Sequence, residues 1–277
     1  MQKKRNAIFI KILLILLGIG FLFPLYWMLM MSFKNHLEIT VNPFGLPKEW
    51  IFTNYAKALE KMRFLQALKN SLIYTTGTCL LALTLGAMAA YAISRMGWKY
   101  ENHARTVFMM GLVIPMQLVM IPLYTIVHNL GLKNSALGVI LPYTAFQLPS
   151  TILMFYAFLR GIPKELEEAA RIDGCNVYQC FLKIILPTLK PALATRFVLI
   201  FMNIWNEYFM ALIFANGNDK IRTLSMGLQN MITSMKYTGD WAGLFAAVII
   251  VLVPTLILYL LLSEKIVAGI TGGAVKG

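Results

Sequence analysis

The sequence predicts an all-α integral membrane protein with six transmembrane helices. Three observations carry that expectation. The 277 residues are 58% hydrophobic and only 13% charged, whereas soluble domains run near half apolar and a quarter charged. The apolar residues gather into runs of about 20 or more, the length that crosses a hydrocarbon core. The basic residues, which give a net charge of +13, fall in short clusters between those runs, as in inter-helix loops.

The spans are expected at about residues 7–31, 71–93, 106–127, 136–158, 192–214 and 242–262 of one transmembrane domain covering 1–277. The first run follows the basic stretch MQKKR and ends in Phe23, Pro24, Tyr26 and Trp27. It is too long for a signal-peptide core and lacks a small-residue cleavage site, so it reads as an uncleaved helix. Loop 32–70 holds Tyr55, Leu59, Met62, Leu65 and Leu68 at helical spacing, with Lys57, Lys61 and Lys69 on other faces. This predicts an amphipathic helix over Asn54–Lys69 lying on the membrane. The second span is rich in Leu, Ala, Thr and Gly. Pro115 and Pro122, seven apart on nearly the same face of the third, either bend it around a translocation path or mark ordinary helix irregularity, and Pro24, Pro142, Pro149 and Pro254 recur in the others. Lys11 and Arg196 stand near span ends, where long cations snorkel to the interface.

Loops 128–135 and 215–241 join 32–70 on one side of the membrane; 215–241 is polar, with a turn at Gly217, Asn218 and Asp219. Loop 159–191 and tail 263–277 lie on the other. That second side carries 15 Lys and Arg against 10, which places both termini and loop 159–191 in the cytoplasm.

Several function classes lack their residues. No Lys/Arg-rich block or aromatic-interleaved basic face supports nucleic-acid binding. Cys79, Cys175 and Cys180 have no ligand spacing, so neither a disulfide framework nor a metal site is expected. His36, His103 and His128 stand near loop ends without carboxylates at metal spacing, and no hydrolase or metalloprotease motif occurs. No catalytic residue is assigned. The chain has no phosphate-binding loop of its own, so no cofactor is expected on it. A membrane-embedded transferase would need acidic or histidine residues grouped at a membrane face. A stand-alone secondary transporter would need intramembrane charge relays, and often an inverted repeat.

Glu207 is the one acidic residue well inside a span, and a charge at that depth costs ~3 kcal/mol on insertion scales. Asn203 lies four residues earlier on the same helical face, with Asn206 adjacent. Two readings stay open: a polar lining for a translocation path, or a hydrogen bond between helices. Sugar chemistry would suit amides, carboxylates and rings, and Gln117, Tyr124, Tyr143, Gln147, Trp205 and Tyr208 supply them. Aromatic residues also form interfacial belts.

The most polar stretch of the second half is ELEEAARIDGCNVYQCFLKIILPTLKPAL, from Glu165 to Leu193. Pro163 suits a helix's first turn. Glu165, Glu167 and Glu168 suit its positive end. Leu166, Ala169 and Ala170 share a face, and the two alanines keep it low enough for a partner's close approach. Gly174, directly after Asp173, closes the helix as a left-handed stop. Asn176 caps a second helix whose apolar side is Val177, Phe181, Ile184 and Ile185. Pro187 is expected to end it. Two short surface helices joined by a tight turn result.

That stretch resembles the membrane subunits of bacterial ABC importers. Their signature is E-A-A, three residues, G, nine residues, I-x-L-P. Here Glu168, Ala169, Ala170, Gly174, Ile184, Leu186 and Pro187 meet every spacing. IPKELEEAARIDG, LPYTAFQLPS, WNEYFMALIF and GGAVKG resemble the carbohydrate-uptake, maltose-permease-like branch, and the resemblance covers nearly the whole chain. It implies a type I importer transmembrane domain (MetI-like), multi-pass in a bacterial cell membrane. It implies a heterodimer with a homologous sister permease around a pseudo-two-fold axis. Glu165–Leu186 would be coupling helices docking on a cytoplasmic ATPase dimer, with Glu168 meeting a basic ATPase residue. ATP and magnesium would be bound on that ATPase. An extracellular solute-binding protein would deliver a sugar, an oligosaccharide on family grounds, and loop 215–241 would probe its cleft. Tail residues Thr271–Gly277 would reach the ATPase interface. Transport would be alternating access, with Gln117, Tyr124, Asn203, Trp205, Asn206, Glu207 and Tyr208 as candidate path residues.

Overall fold

A computed structural model describes residues 2–215 and 218–274, and all regular structure among them is helical. In chain order the helices are α1 (Gln2–Ser32), α2 (His36–Val41), α3 (Thr53–Met62), α4 (Phe64–Arg95), α5 (Glu101–Val113), α6 (Met116–Asn129) and α7 (Ala136–Arg160). There follow α8 (Glu165–Ile172), α9 (Val177–Cys180), a π-helical turn at Phe181–Ile185, α10 (Leu186–Thr188), α11 (Lys190–Asn206) and α12 (Phe209–Phe214). After a 3₁₀ turn at Asp219–Ile221 come α13 (Leu224–Thr238) and α14 (Trp241–Ala274).

Among the described residues, four helices are long and apolar enough to cross a membrane: Phe9–Ser32 within α1, then α4, α7 and Trp241–Leu260 within α14. Two more candidates exist only as bent pairs, α5 with α6 at 103° and Val177–Thr188 with α11 at 71°. The expected third span, 106–127, is therefore not one continuous helix. It breaks at Ile114–Pro115, because Ile114 takes the extended conformation that a following proline favours (ψ 114°). Pro122 sits inside α6 without breaking it.

The chain divides into two compact units. The first comprises Met1–Phe64 and Gly227–Ile257. Its α1 side chains are mostly exposed from Phe9 to Tyr26, as lipid-facing side chains are. At the end of α1 the chain is tied down: Asn54 Nδ2 donates to the carbonyls of Ser32 and Lys34, and Phe33 packs among Trp50, Phe52 and Tyr55. The core is Ala58, Met62, Met231, Leu244, Ala246, Ala247 and Ile250.

This corrects two expectations. The amphipathic segment Asn54–Lys69 is not one helix on a membrane surface. Arg63 takes a left-handed conformation (φ 48°), ending α3 and starting α4, and α3 buries Ala58 and Met62 against α13 and α14. Nor is 215–241 simply a polar loop: it contains α13, whose Met231 is buried in that core. The turn expected at Gly217 lies outside the described residues, as does the tail beyond Ala274.

The second unit comprises Leu65–Met226 and Leu258–Gly277. Here α4 and α7 approach closely through small residues: a Cβ added at Gly86 would lie 2.5 Å from Thr151 Cγ2, and one at Gly77 2.9 Å from Ile140 Cδ1. Their shared core includes Ala87, Ala90 and Tyr91 from α4 and Ile152, Phe155 and Leu159 from α7. Ile185 and Leu189 join the same core, which is how the segment after α8 is held against the spans.

Candidate functional site

The Glu165–Leu193 stretch folds as two short helices around a tight turn, and its caps explain why. Glu165, Glu167 and Glu168 occupy the first turn of α8, where negative charge is favoured. Pro163 stays outside the helix, which begins at Glu165. At the other end Gly174 has φ +83°; its N–H bonds Arg171 O at 3.0 Å, and Cys175 N–H bonds Ala170 O at 2.9 Å. That pair of bonds is a Schellman closure, which satisfies the last carbonyls and favours glycine at the left-handed position. Asn176 and Gln179 then form a capping box that starts α9.

Which residues face outward is settled by burial. Glu165, Leu166, Glu168, Ala169 and Asp173 are exposed, whereas Glu167 and Ala170 are buried. The two alanines thus do not share one open face: Ala169 is available to a partner, and Ala170 packs inward. Pro187 does not end the second helix. It has no N–H to donate, and the ladder ahead of it widens into the π turn, with Leu186 N–H bonding Phe181 O. The helical path runs on to Thr188 and turns at Leu189. Ile184 and Leu186 are half-buried, and Ile185 is fully buried.

The expected fifth span, 192–214, is discontinuous. Glu207 is extended (φ −75°, ψ 131°) and lies between α11 and α12. Its Oε1 accepts the Met210 N–H at 2.8 Å, and its Oε2 accepts the Ala211 N–H at 3.3 Å and the Tyr143 hydroxyl at 2.5 Å. The carboxylate therefore caps α12 and ties it to α7, so the interhelical reading accounts for its contacts. Because α11 ends at Asn206, Asn203 and Glu207 do not share a helical face.

The remaining path candidates scatter. Asn203 is exposed and accepts from Gln147 Nε2 at 3.1 Å, while Asn206 donates to Met202 O of its own helix at 2.8 Å. Trp205 is buried (3% exposed) and stacks on Phe201 at 5.7 Å. Tyr208 is 39% exposed. On α6, Gln117 is exposed, and half-buried Tyr124 stacks near His128 and Phe214.

Sequence reasoning missed two buried groups. Arg196, expected to snorkel, is 8% exposed. Its Nε donates to Thr151 Oγ1 at 2.9 Å and its Nη2 to Gln147 Oε1 at 2.9 Å and Ser150 Oγ at 2.5 Å. Polar residues recurring at 147, 150 and 151 on one face of α7 were the available signal. The second is Glu167 with Arg95, a buried ion pair whose members stand 72 residues apart in sequence (167 less 95) and share no local pattern. Among the described residues no group of three His, Cys, Asp or Glu is arranged to hold a metal.

Comparison with known proteins adds the following. Residues 82–265 match the family model of the binding-protein-dependent transport system inner membrane component. The chain is 33% identical over 273 residues to the diacetylchitobiose uptake system permease protein NgcG of Streptomyces coelicolor, covering 99% of this chain and 90% of that one. It is 34% identical to the sulfoquinovosyl glycerol transport system permease protein SmoH of Agrobacterium fabrum, covering 92% and 89%. A chain of a bacterial ABC transporter involved in import of the acidic polysaccharide alginate superposes with a TM-score of 0.78 at 24% identity, covering 95% of this chain and 97% of that one. At that identity the superposition establishes the fold.

Proposed function

The chain belongs to the family of binding-protein-dependent transport system inner membrane components, and from that premise we propose the part it plays in an ATP-driven sugar importer. It is a multi-pass membrane protein and a non-catalytic permease subunit. Its cargo is a carbohydrate, with an oligosaccharide as the working choice, since relatives are named for disaccharide and glycoside uptake. It pairs with a sister permease, receives sugar from an extracellular binding protein, and moves it by alternating access. Both termini and α8 to α10 face the cytoplasm. ATP and magnesium are bound on a separate ATPase dimer, against which α8 docks through Glu165, Glu168, Ala169 and Asp173. The path passes the break at Glu207–Tyr208, where Asn203, Asn206 and Tyr208 offer polar groups and Gln117 and Tyr124 line the facing helix pair.

The observation that carries this reading is the outward face of α8 closed by the Gly174 turn. It is a preorganised acidic ledge beside an exposed alanine, held by caps. The test is uptake of a panel of labelled oligosaccharides by membranes containing the assembled transporter with its binding protein. Uptake that needs this chain, ATP and the binding protein together supports the reading. Uptake that persists without ATP, or without the binding protein, overturns it.

A further inference from the structure

The inward face of α8 carries a feature that docking does not use. Glu167 is 4% exposed, and its Oε2 accepts the Tyr91 hydroxyl at 3.1 Å. Its Oε1 stands 3.4 Å from Arg95 Nε, and the two side chains are 6% and 4% exposed. Those two atoms are not aligned for a hydrogen bond, and neither has another hydrogen-bond partner. The same guanidinium donates through Nη2 to the carbonyls of Leu159 and, at 2.6 Å, Ile162. One side chain at the end of α4 therefore grips the end of α7, the link that follows it, and α8.

We propose that Arg95 and Glu167 are positioning residues for energy coupling, locking α8 to α4 and α7 so that a push on α8 moves both spans. This rests on the reading of α8 as the ATPase-docking helix. The alternative would be a hinge: only Gly161 to Lys164 separate α7 from α8, and such a link could absorb the push by rotating. The buried pair opposes that. Pulling α8 away would leave an uncompensated charge on each side in a water-poor site, which is strongly unfavourable. Pushing α8 inward would press the Glu167 carboxylate toward the Arg95 guanidinium, a contact already at 3.4 Å. Tyr91 limits lateral slip, since its hydroxyl holds the other carboxylate oxygen while its ring packs against Phe181. The clamp therefore transmits compression and resists separation.

The test uses the full transporter, purified with its ATPase subunit, in a background with Cys79→Ala, Cys175→Ala and Cys180→Ala. Spin labels at Lys164 and Leu80, both exposed, report the position of α8 against α4; labels at Leu80 and Leu199 report the spans alone. Distances are measured without nucleotide and after trapping with ATP and vanadate. With the clamp intact, the Lys164–Leu80 distance keeps a single narrow distribution in both states. In Glu167→Ala it broadens or shifts on trapping, while the Leu80–Leu199 distribution matches that of the intact clamp without nucleotide and changes less on trapping than the intact clamp's does. Glu167→Gln keeps the side-chain volume and removes the charge, and gives the same shift should Glu167→Ala fail to insert. A narrow, unchanged Lys164–Leu80 distance in these variants overturns the clamp alone. Failure of the ATPase to co-purify with the unmutated chain overturns the docking reading and this inference with it.

Discussion

Replacing Gly174 separates backbone conformation from side-chain volume in the turn between α8 and α9. Gly174 has φ +83°, and apart from its two neighbours in sequence no residue lies within 4 Å of the place a Cβ would occupy. An added side chain therefore meets no neighbour in this chain, and its cost is conformational. A left-handed conformation costs most L-residues about 1–2 kcal/mol, with asparagine tolerating it better and β-branched residues worse. At about 1.4 kcal/mol per factor of ten, alanine disfavours the turn about 5- to 30-fold. If the turn must keep this shape to dock, uptake should fall in the order Gly, Asn, Ala, Val. The assay is initial-rate uptake by the assembled transporter, normalised to inserted permease by immunoblot, with ATPase co-purification in parallel. A ranking by size, with Ala near wild type and Asn as damaging as Val, would refute the conformational reasoning. It would indicate instead that a partner occupies the open space beside the glycine.

Three further predictions concern other parts of the chain. Glu168→Lys reverses an exposed charge on the outward face of α8 and should weaken ATPase co-purification without lowering permease insertion; an unchanged yield counts against the docking role. Glu207→Ala removes the cap of α12 and the acceptor for Tyr143, and should destabilise the detergent-solubilised protein by about 1–3 kcal/mol, with Glu207→Gln milder. Equal melting temperatures for all three proteins would argue against a structural role. At Asp240, burial raises the carboxyl pKa, but the Gly243 N–H and the Lys61 ammonium at 3.2 Å outweigh it, and the net shift is downward. A lowered folded value means that this stabilisation is present above the unfolded pKa of about 3.9 and is lost as pH falls through the folded value. The pair is partly exposed, so the effect is ~0.2–1 kcal/mol. Asp240→Asn should therefore flatten the acid limb of a melting-temperature profile, and an unaltered limb would exclude the contribution.

The fold class was legible because lipid imposes a one-dimensional rule: a span must be apolar over its own length, and that is written locally. The caps of α8 and α9 were legible for the same reason. Gly174, Asn176 and the first-turn glutamates act on backbone within a few residues of themselves. Local rules failed where an expected helix met a competing contact. Apolar runs at 106–127 and 192–214 looked continuous, yet Pro115 breaks one and the Glu207 carboxylate, by capping α12, interrupts the other. Of the apolar positions spaced along Asn54–Lys69, Met62 packs with Met231 and Leu244, whereas Leu59 and Leu65 stay exposed.

What the sequence alone determined was a polytopic chain with a preorganised surface turn, because burial in lipid and helix capping are both decided by neighbours in sequence. Only the tertiary structure decided which charges are buried and with whom. It turned Glu167 inward and Glu168 outward, put Arg95 across the ends of two helices, and set Arg196 among the hydroxyls and amide of α7. Those pairings join residues tens of positions apart, and the strength of each depends on how far the surrounding chain excludes water, which no local pattern records.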